Sequence, residues 1–456
     1  MTCSEQLASW AASLAFTDIP DAVATDQKNR ILDIIGVSLA ASTMPGSEPV
    51  RQAALRLGNG DESRVLGFGD RTSAASAAVA NGALAHALDY DDTHNESVVH
   101  ISGPVVTTGL TLGEALRADG EAVLTAMVAG AEAGCRIGSA APGGFHKRGF
   151  HATGVVGAIA ATVVAGKLLG LETGRLRHAI GTAVSQASGV MECFRDGSET
   201  KQLHPGWAAH SGIAAAYLAD AGFTGPATAL EGRNGFFQAH ADTNPPDYTK
   251  IYLDLGVEWA CLATSYKPYP CGHVVHAFLD ALLMLYHEEG LRAEQVESVT
   301  CPIAEWMIPV MCEPREVKLH PQSEYHAKFS FPFTMAAALT FGRLGVEAFS
   351  AGNIRDAAIL KLAEKIHHEV DRSAPGTGRF KGWVKVTTID GRHLERLVED
   401  NWGSLANPMT PDQVRRKFRE NAALALPEAR AEEIVARTGE VETLGDIAGL
   451  IDLCIH

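Results

Sequence analysis

Small and apolar residues recur at helical spacing through most of the first 265 positions. They predict successive Ala-rich helices over 73–93, 104–117, 121–139, 154–170, 174–188 and 207–221. Small side chains at these spacings let helix axes approach closely, so this part reads as an all-helical domain with several buried helices. Two further helical patterns precede residue 60, the second carried by Ile31, Leu32, Ile34, Ile35, Val37 and Leu39 and ending before Pro45-Gly46. The first, MTCSEQLASWAASLAF, has Glu5 where an export signal would carry basic residues, so it reads as an amphipathic helix and implies no export. The most apolar run, 154–171, is broken by Lys167 and fits a buried helix better than a membrane span.

The pattern changes after Lys267. Val296-Glu297-Ser298-Val299-Thr300-Cys301 alternates as a strand does, and Trp383 to Ile389 leads through Asp390-Gly391 into His393-Leu394-Glu395-Arg396-Leu397, a hairpin signal. Helical patterns over 274–288, 331–343 and 353–369 lie between, so residues 267–398 read as a smaller α+β domain. Thr410-Pro411-Asp412-Gln413 then supplies a cap, a first-turn proline and a capping-box glutamine, and the tail is helical again. The chain is therefore mainly α, with a helical domain from 1–266 and 399–456 and an inserted domain from 267–398.

Composition narrows the function. A formal charge of −16 with no compensating basic run excludes a typical nucleic-acid binder. Eight scattered cysteines form no C-x-x-C pair and no zinc or iron–sulfur ligand set, which fits reduced thiols in a cytoplasmic protein.

Candidate chemistry concentrates in NGALAHALDYDDTHNESVVHISGP, residues 81–104. If the helix continues to 93, His86, Asp89 and Thr93 share one face. His100 then precedes a helix expected to start at Pro104, with Ser102 or Gly103 as its cap. The same arrangement recurs. His151 precedes an expected cap at Thr153, Lys201 and His204 precede Pro205-Gly206, and Lys267 precedes a helix near Gly272-His273. Cations are disfavoured at helix N-termini unless an anion is shared, so the repetition points to a polycarboxylate ligand. Arg148 and Arg195 lie near His151 and Lys201 in sequence and have the geometry to clamp a carboxylate bidentately. A metal-dependent hydrolase using His86, Asp89, Asp92, His94 and His100 is the competing enzyme class, although the spacing matches no H-E-x-x-H pattern. A non-catalytic polycarboxylate-binding protein would keep the cations and need no proton carriers.

Five segments together resemble the MmgE/PrpD family: LDYDDTH with H-x-S-G-P at 88–104, RGFHATG at 148–154, GSETK-x-L-H-x-G at 197–206, KPYPCGH at 267–273 and NPMT at 407–410. His94-Asn95-Glu96-Ser97 fills a stretch that varies among members. The resemblance implies a helical domain built from both chain ends, an inserted lid, a homodimer, and no metal, iron–sulfur or other cofactor. It carries Asp89, Thr93, His100, His151, Lys201 and Lys267 into the site, with His204 and Tyr269 as further members. The implied substrate is a small polycarboxylate. The implied activities are 2-methylcitrate dehydration first, with cis-aconitate decarboxylation or iminodisuccinate epimerisation as alternatives. All three require proton transfer or carbanion formation next to a carboxylate. On that basis His100 and His151 are acid/base candidates, Lys201 and Lys267 bind carboxylate and enolate oxygens, and Asp89 and Thr93 orient or relay. Lys267, read as a loop cation, is expected to contribute little to stability.

Overall fold

A computed structural model describes residues 1–243, 245–374, 376 and 378–456, and of Asp196 the backbone only. The chain opens with α1 (Cys3–Ser13), α2 (Asp21–Ser42), α3 (Glu48–Leu57) and α4 (Ala74–His86). Then come α5 (Ser102–Leu116), α6 (Gly120–Ser139), α7 (Ala152–Leu168), α8 (Thr173–Val184) and α9 (Thr200–Asp220). Their apolar sides form one core that runs from Cys3 to Cys261 and resumes from Phe418 to Cys454. A two-residue ladder, β1 (Thr93–His94) against β2 (Thr264–Ser265), ties the acidic stretch to the end of this part of the chain. No helix among the described residues is long and apolar enough to cross a membrane.

A second core spans Tyr269 to Val398. Its sheet centres on β3 (Val296–Ile303), which pairs in parallel with β4 (Ile366–Val370) and antiparallel with β5 (Gly382–Thr388). β6 (His393–Val398) closes the hairpin with β5, giving the order β4-β3-β5-β6. α10 (His276–Glu288) lies so close to the sheet that a Cβ on Gly382 would sit 2.2 Å from the carbonyl carbon of Ala277. α11 (Phe331–Phe341) and α12 (Ala357–Ala363) complete this unit. The chain then returns. Thr410 caps α13 (Pro411–Ala422), accepting from Gln413 N at 3.3 Å while its own N–H donates to Gln413 Oε1 at 2.8 Å. Phe418 of α13 packs over Gly36 of α2, and α14 (Glu428–Gly439) follows. The fold is mainly α: both chain ends build a large helical domain, and a smaller α+β lid is inserted between them.

Four helix boundaries differ from those read in the sequence. The first helix stops at His86 instead of 93 because Asp89 takes a left-handed conformation, φ +49°, and the following carboxylates bond away from the helix. α5 starts at Ser102, so Pro104 is its third residue, and the Ser102 hydroxyl donates to Asp92 instead of capping. α7 starts at Ala152, making His151 rather than Thr153 its cap residue. α9 starts at Thr200 and runs through Pro205, so Lys201 and His204 lie within the helix and not ahead of it. The proline is tolerated because only the Lys201 carbonyl loses a partner, close to the helix start. Likewise the end of the pattern read as helical over 353–369 belongs to the strand Ile366–Val370: parallel pairing with β3 overrides a weak local pattern.

The contact that places α9 is glycine on glycine. A Cβ on Gly82 of α4 would lie 2.4 Å from Gly206 Cα, and one on Gly206 would lie 2.2 Å from the Val79 carbonyl oxygen. This approach brings the first turn of α9 beside the end of α4. Gly206→Val is therefore expected to lower the unfolding free energy by at least about 2 kcal/mol, since backbone atoms cannot yield as side chains do. Gly174→Ala, where a Cβ meets nothing within 4 Å, is the control and is expected to be neutral or stabilising. Urea denaturation of the two variants checks both.

Candidate active site

Asp89 is almost wholly buried, and both of its carboxylate oxygens are claimed by ammoniums. Lys201 Nζ lies 2.5 Å from Oδ1 and Lys267 Nζ lies 2.9 Å from Oδ2. Lys267 also donates to the Asp89 carbonyl at 2.9 Å. Burial by itself would raise the Asp89 pKa, but Lys201 and Lys267 overcome it and hold the carboxyl well below the usual range. The left-handed turn is what lets one residue present its side chain and its carbonyl to the same lysine.

His86, at the end of α4, fixes the other side of Lys201. Its Nδ1 lies 2.7 Å from Asp91 Oδ1, so that nitrogen carries the proton, and Nε2 accepts from Lys201 Nζ at 2.7 Å. His100 donates from Nδ1 to the Asp92 carbonyl at 2.7 Å, with Thr93 Oγ1 3.1 Å away, which leaves Nε2 a lone pair. His151 shares a 3.0 Å Nδ1–Nδ1 hydrogen bond with His204, one turn after Lys201 on α9. The rings of His86, His100 and His151 lie within 4.8 to 5.7 Å of one another, centre to centre.

All these imidazoles are driven toward the neutral form. Burial comes first for His100, then the charges of Lys267 and Lys201, and its pKa falls well below the usual range. Burial, then Lys201 and His204, does the same to His151. His204 is pushed down to about 3 by burial, then by His86 and Lys201. His86 is lowered by burial in spite of Asp91.

The acidic stretch is braced from three directions. Asp92 accepts from Arg30 of α2 at 2.7 Å and from the Ser102 N–H at 3.1 Å. Lys417 of α13 donates to the Tyr90 carbonyl at 2.8 Å and pairs with Asp33 at 2.7 Å. The Tyr90 hydroxyl donates to the Pro268 carbonyl at 3.0 Å, next to Lys267.

These groups open onto a cavity of about 680 Å³ between the two cores, lined by Asp89, Thr93, His100, His151 and Lys201 on one side and by lid residues on the other. Another cavity, of about 650 Å³, lies behind Tyr90 and holds none of the histidines. Four of the residues expected in the site do not line the first cavity. Lys267 lies beneath Asp89 and is wholly buried, so it is a structural cation and not the weakly stabilising loop residue expected from sequence. His204 stands behind His151. Tyr269 faces the lid interior, donating to Asp280 at 2.7 Å. Arg148 ends the short helix Gly144–Lys147 with its side chain in solvent.

Two lining histidines escaped the sequence reading. His273 ends the KPYPCGH segment; Asn401 Nδ2 donates to its Nε2 at 3.0 Å, which leaves a buried Nδ1 with no hydrogen-bond partner among the described residues. His146 has its ring 6.0 Å from His151 and is pushed down to about 4 by burial and Lys201, again with Nδ1 unpartnered among the described residues. The segment itself was the available signal for His273; for His146 there was none beyond its nearness to His151.

Residues 5–249 match the MmgE/PrpD N-terminal domain and residues 269–440 match the MmgE/PrpD C-terminal domain. The chain belongs to the MmgE/PrpD family. The second match crosses the lid and runs into the returning helices, so the family's sequence division is not the division between the two cores. Similar proteins include a cis-aconitate decarboxylase of Aspergillus terreus (strain NIH 2624 / FGSC A1156), 28% identical over 98% of this chain and 95% of the relative. The cis-aconitate decarboxylases of Mus musculus and Homo sapiens are each 27% identical over 99% of this chain and 93% and 94% of their own lengths. With both family domains present, the chain is a lyase of this family.

The nitrogens of His86, His100 and His151 come within 4.8 Å of one another, a spacing that a metal ion could bridge. The donor chemistry argues otherwise. His86 Nε2 already accepts from the Lys201 ammonium, and a cation bound there would face that charge at contact distance.

The buried histidines fix the sign of the pH response. His86, His94, His100, His146, His151, His204, His273 and His276 are all lowered, so the unfolded chain binds protons that the folded one refuses. Their contribution is complete above about pH 6.5 and is lost as pH falls through that value, at up to about 1.4 kcal/mol per pH unit for each group. Asp33, Asp92, Glu114 and Asp280, raised mainly by burial, act in the opposite sense but are fewer. The thermal midpoint is expected to fall steeply between about pH 7 and 5.5. A midpoint that stays flat or rises over that range contradicts neutral burial of these rings.

Proposed function

We propose that this chain decarboxylates an unsaturated polycarboxylate of the cis-aconitate type by acid/base chemistry that its own side chains supply. The observation that carries this reading is the Asp89 carboxylate held between two ammoniums beside three histidine rings, at the wall of a cavity between two cores. The relatives' names favour decarboxylation over the dehydration that the sequence put first. Lys201, which lines the cavity, is the carboxylate-binding cation. Lys267 holds Asp89, and Asp89 and His86 together aim Lys201.

In the reaction, the carboxylate leaves as carbon dioxide from the carbon next to the double bond. Its bonding pair shifts through that double bond, and a proton is delivered to the far carbon. His100 and His151 are the proton carriers, with their order left open. Both are neutral in the free protein, so the proton must be acquired with the substrate. Added carboxylates offset the charges of Lys201 and Lys267 and raise the histidine pKa values. Lid side chains keep bulk water from the developing carbanion.

Dehydration of a 2-methylcitrate-type substrate is the second reading. It is favoured by one observation, the additional histidine His146 beside His151, which supplies a further group to protonate a leaving hydroxyl. A homodimer belongs to the same proposal, supported by the exposed Trp207, Tyr217 and Leu218 on one face of α9. A cytoplasmic setting fits eight cysteines that are all buried and in no disulfide.

The test is incubation of purified, chelator-treated protein with cis-aconitate and with 2-methylcitrate, followed by mass spectrometry. Loss of carbon dioxide from cis-aconitate is the expected result; loss of water alone selects the second reading, and no change with either substrate contradicts both. Lys201→Met is expected to lower kcat/KM by roughly two to three orders of magnitude, the size of a lost charge-assisted contact. Wild-type kcat/KM in that variant would remove Lys201 from substrate binding.

A further inference from the structure

The cavity behind Tyr90 holds a buried cation that the reaction does not use. About 650 Å³ in volume, it has apolar walls from both cores, with Leu88 and Leu424 on the helical side and Val346 and Phe349 on the lid side. Lys328 lines it as well. This lysine is 3% exposed; its Nζ donates to the Pro270 carbonyl at 3.3 Å and stands 4.2 Å over the Phe349 ring. Lys201, Lys267 and Lys417 are as deeply buried and each sits on a carboxylate, whereas Lys328 makes no ion pair among the described residues. Burial pushes its pKa down to about 8. Two further groups lining the same cavity lack partners. Tyr325 lies three residues before Lys328, in the short helix Glu324–Ala327, and Asn421 comes from α13 of the other domain. The Tyr325 hydroxyl and Asn421 Nδ2 are both buried with no hydrogen-bond partner among the described residues.

We propose that this cavity is a second ligand site, for a monocarboxylate carrying an aliphatic chain, with the carboxylate at Lys328, Tyr325 and Asn421 and the chain along Phe349, Leu88 and Leu424. An ammonium, a phenol and an amide N–H are all donors, and a carboxylate is an acceptor that also neutralises the buried charge. Water filling the cavity would satisfy the hydrogen bonds but would leave the ammonium without a counter-charge and the apolar walls wet. The chain has a way out, since Leu424 keeps 49% of its surface exposed. Carboxylates on the protein restrict the ligand to one charge. Glu199, Glu347 and Glu420 are exposed and Glu324 is half-buried along the cavity, so a second carboxylate on the ligand would meet like charge. These glutamates need no ligand of their own, being hydrated or, for Glu347, paired with Arg343 at 2.6 Å. The site therefore selects against the polycarboxylates proposed for the active cavity.

Butyrate, hexanoate, octanoate and octanedioate, titrated into the full-length protein by calorimetry, test the assignment. Affinity is expected to rise about three- to fourfold per buried methylene along the monocarboxylate series. Octanedioate is expected to bind at least about tenfold more weakly than octanoate, because its second carboxylate must lose hydration among apolar walls and glutamates. Lys328→Met is expected to lower octanoate affinity about ten- to hundredfold, the size of a lost charge-assisted contact. Leu424→Glu, at an exposed position that tolerates a charge, adds a carboxylate at the chain's end of the cavity and is expected to lower it severalfold, which keeps the test decisive should Lys328→Met fail to fold. Octanoate that fails to bind the wild type, or that binds either folded variant as tightly as the wild type, overturns the site. Displacement of octanoate by tricarballylate would place it in the active cavity and overturns the proposal equally. Octanedioate binding as tightly as octanoate overturns the selection for a single charge.

Discussion

Everything in the site depends on one buried carboxylate being shared by two lysines. Asp89 cannot stay ionised inside the protein without a cation, and neither ammonium is tolerable there without an anion. Asp91, the second carboxylate of the cluster, stands behind His86, so at the cavity wall Lys201 shares only Asp89 with Lys267. The Lys201 ammonium at the wall is the charge a polyanionic substrate would meet, and burial, followed by the charges of Lys201 and Lys267, keeps the nearby histidines neutral until such a substrate arrives. Removing either lysine would therefore do more than delete a contact, because it would change the charge that sets every nearby imidazole.

Holding that cluster requires distant parts of the chain. Arg30 from α2 holds the Asp92 side chain and Lys417 from the returning α13 holds the Tyr90 carbonyl, both just after Asp89, and the Tyr90 hydroxyl reaches the carbonyl beside Lys267. The insertion of the lid makes sense in this light. The chain leaves the helical domain immediately after placing Lys267 beneath Asp89 and comes back to supply Lys417, so the lid is anchored at both ends to the segment it covers.

Much of this was legible in the residues. Helical periodicity and small side chains gave the all-helical part, the Asp390-Gly391 turn gave the β5–β6 hairpin, and Thr410 with Gln413 gave the start of α13. The acidic segment announced the site because carboxylates and histidines interrupt an Ala-rich chain. What escaped depended on the third dimension. Nothing in the sequence says that Asp89 turns left-handed, that Lys201 lies inside a helix running through Pro205, or that Lys267 faces inward. Strand β4 was hidden because its pairing with β3 is long-range, and its exposed edge needs no alternation of apolar residues. Tyr269 and Arg148 show the opposite error: being near the motifs in sequence, they were drawn into the site, yet one hydroxyl is satisfied inside the lid and the other side chain points to solvent.

The central claim is that burial and the neighbouring lysine charges keep the histidines neutral until a polycarboxylate binds. Calorimetric titration with tricarballylate, a saturated tricarboxylate with no double bond to react, measures it directly when repeated near pH 7 in buffers of different ionisation enthalpy. The expected result is net proton uptake on binding, diminished in His100→Asn. Tight binding with no proton uptake, or with proton release, would contradict the account.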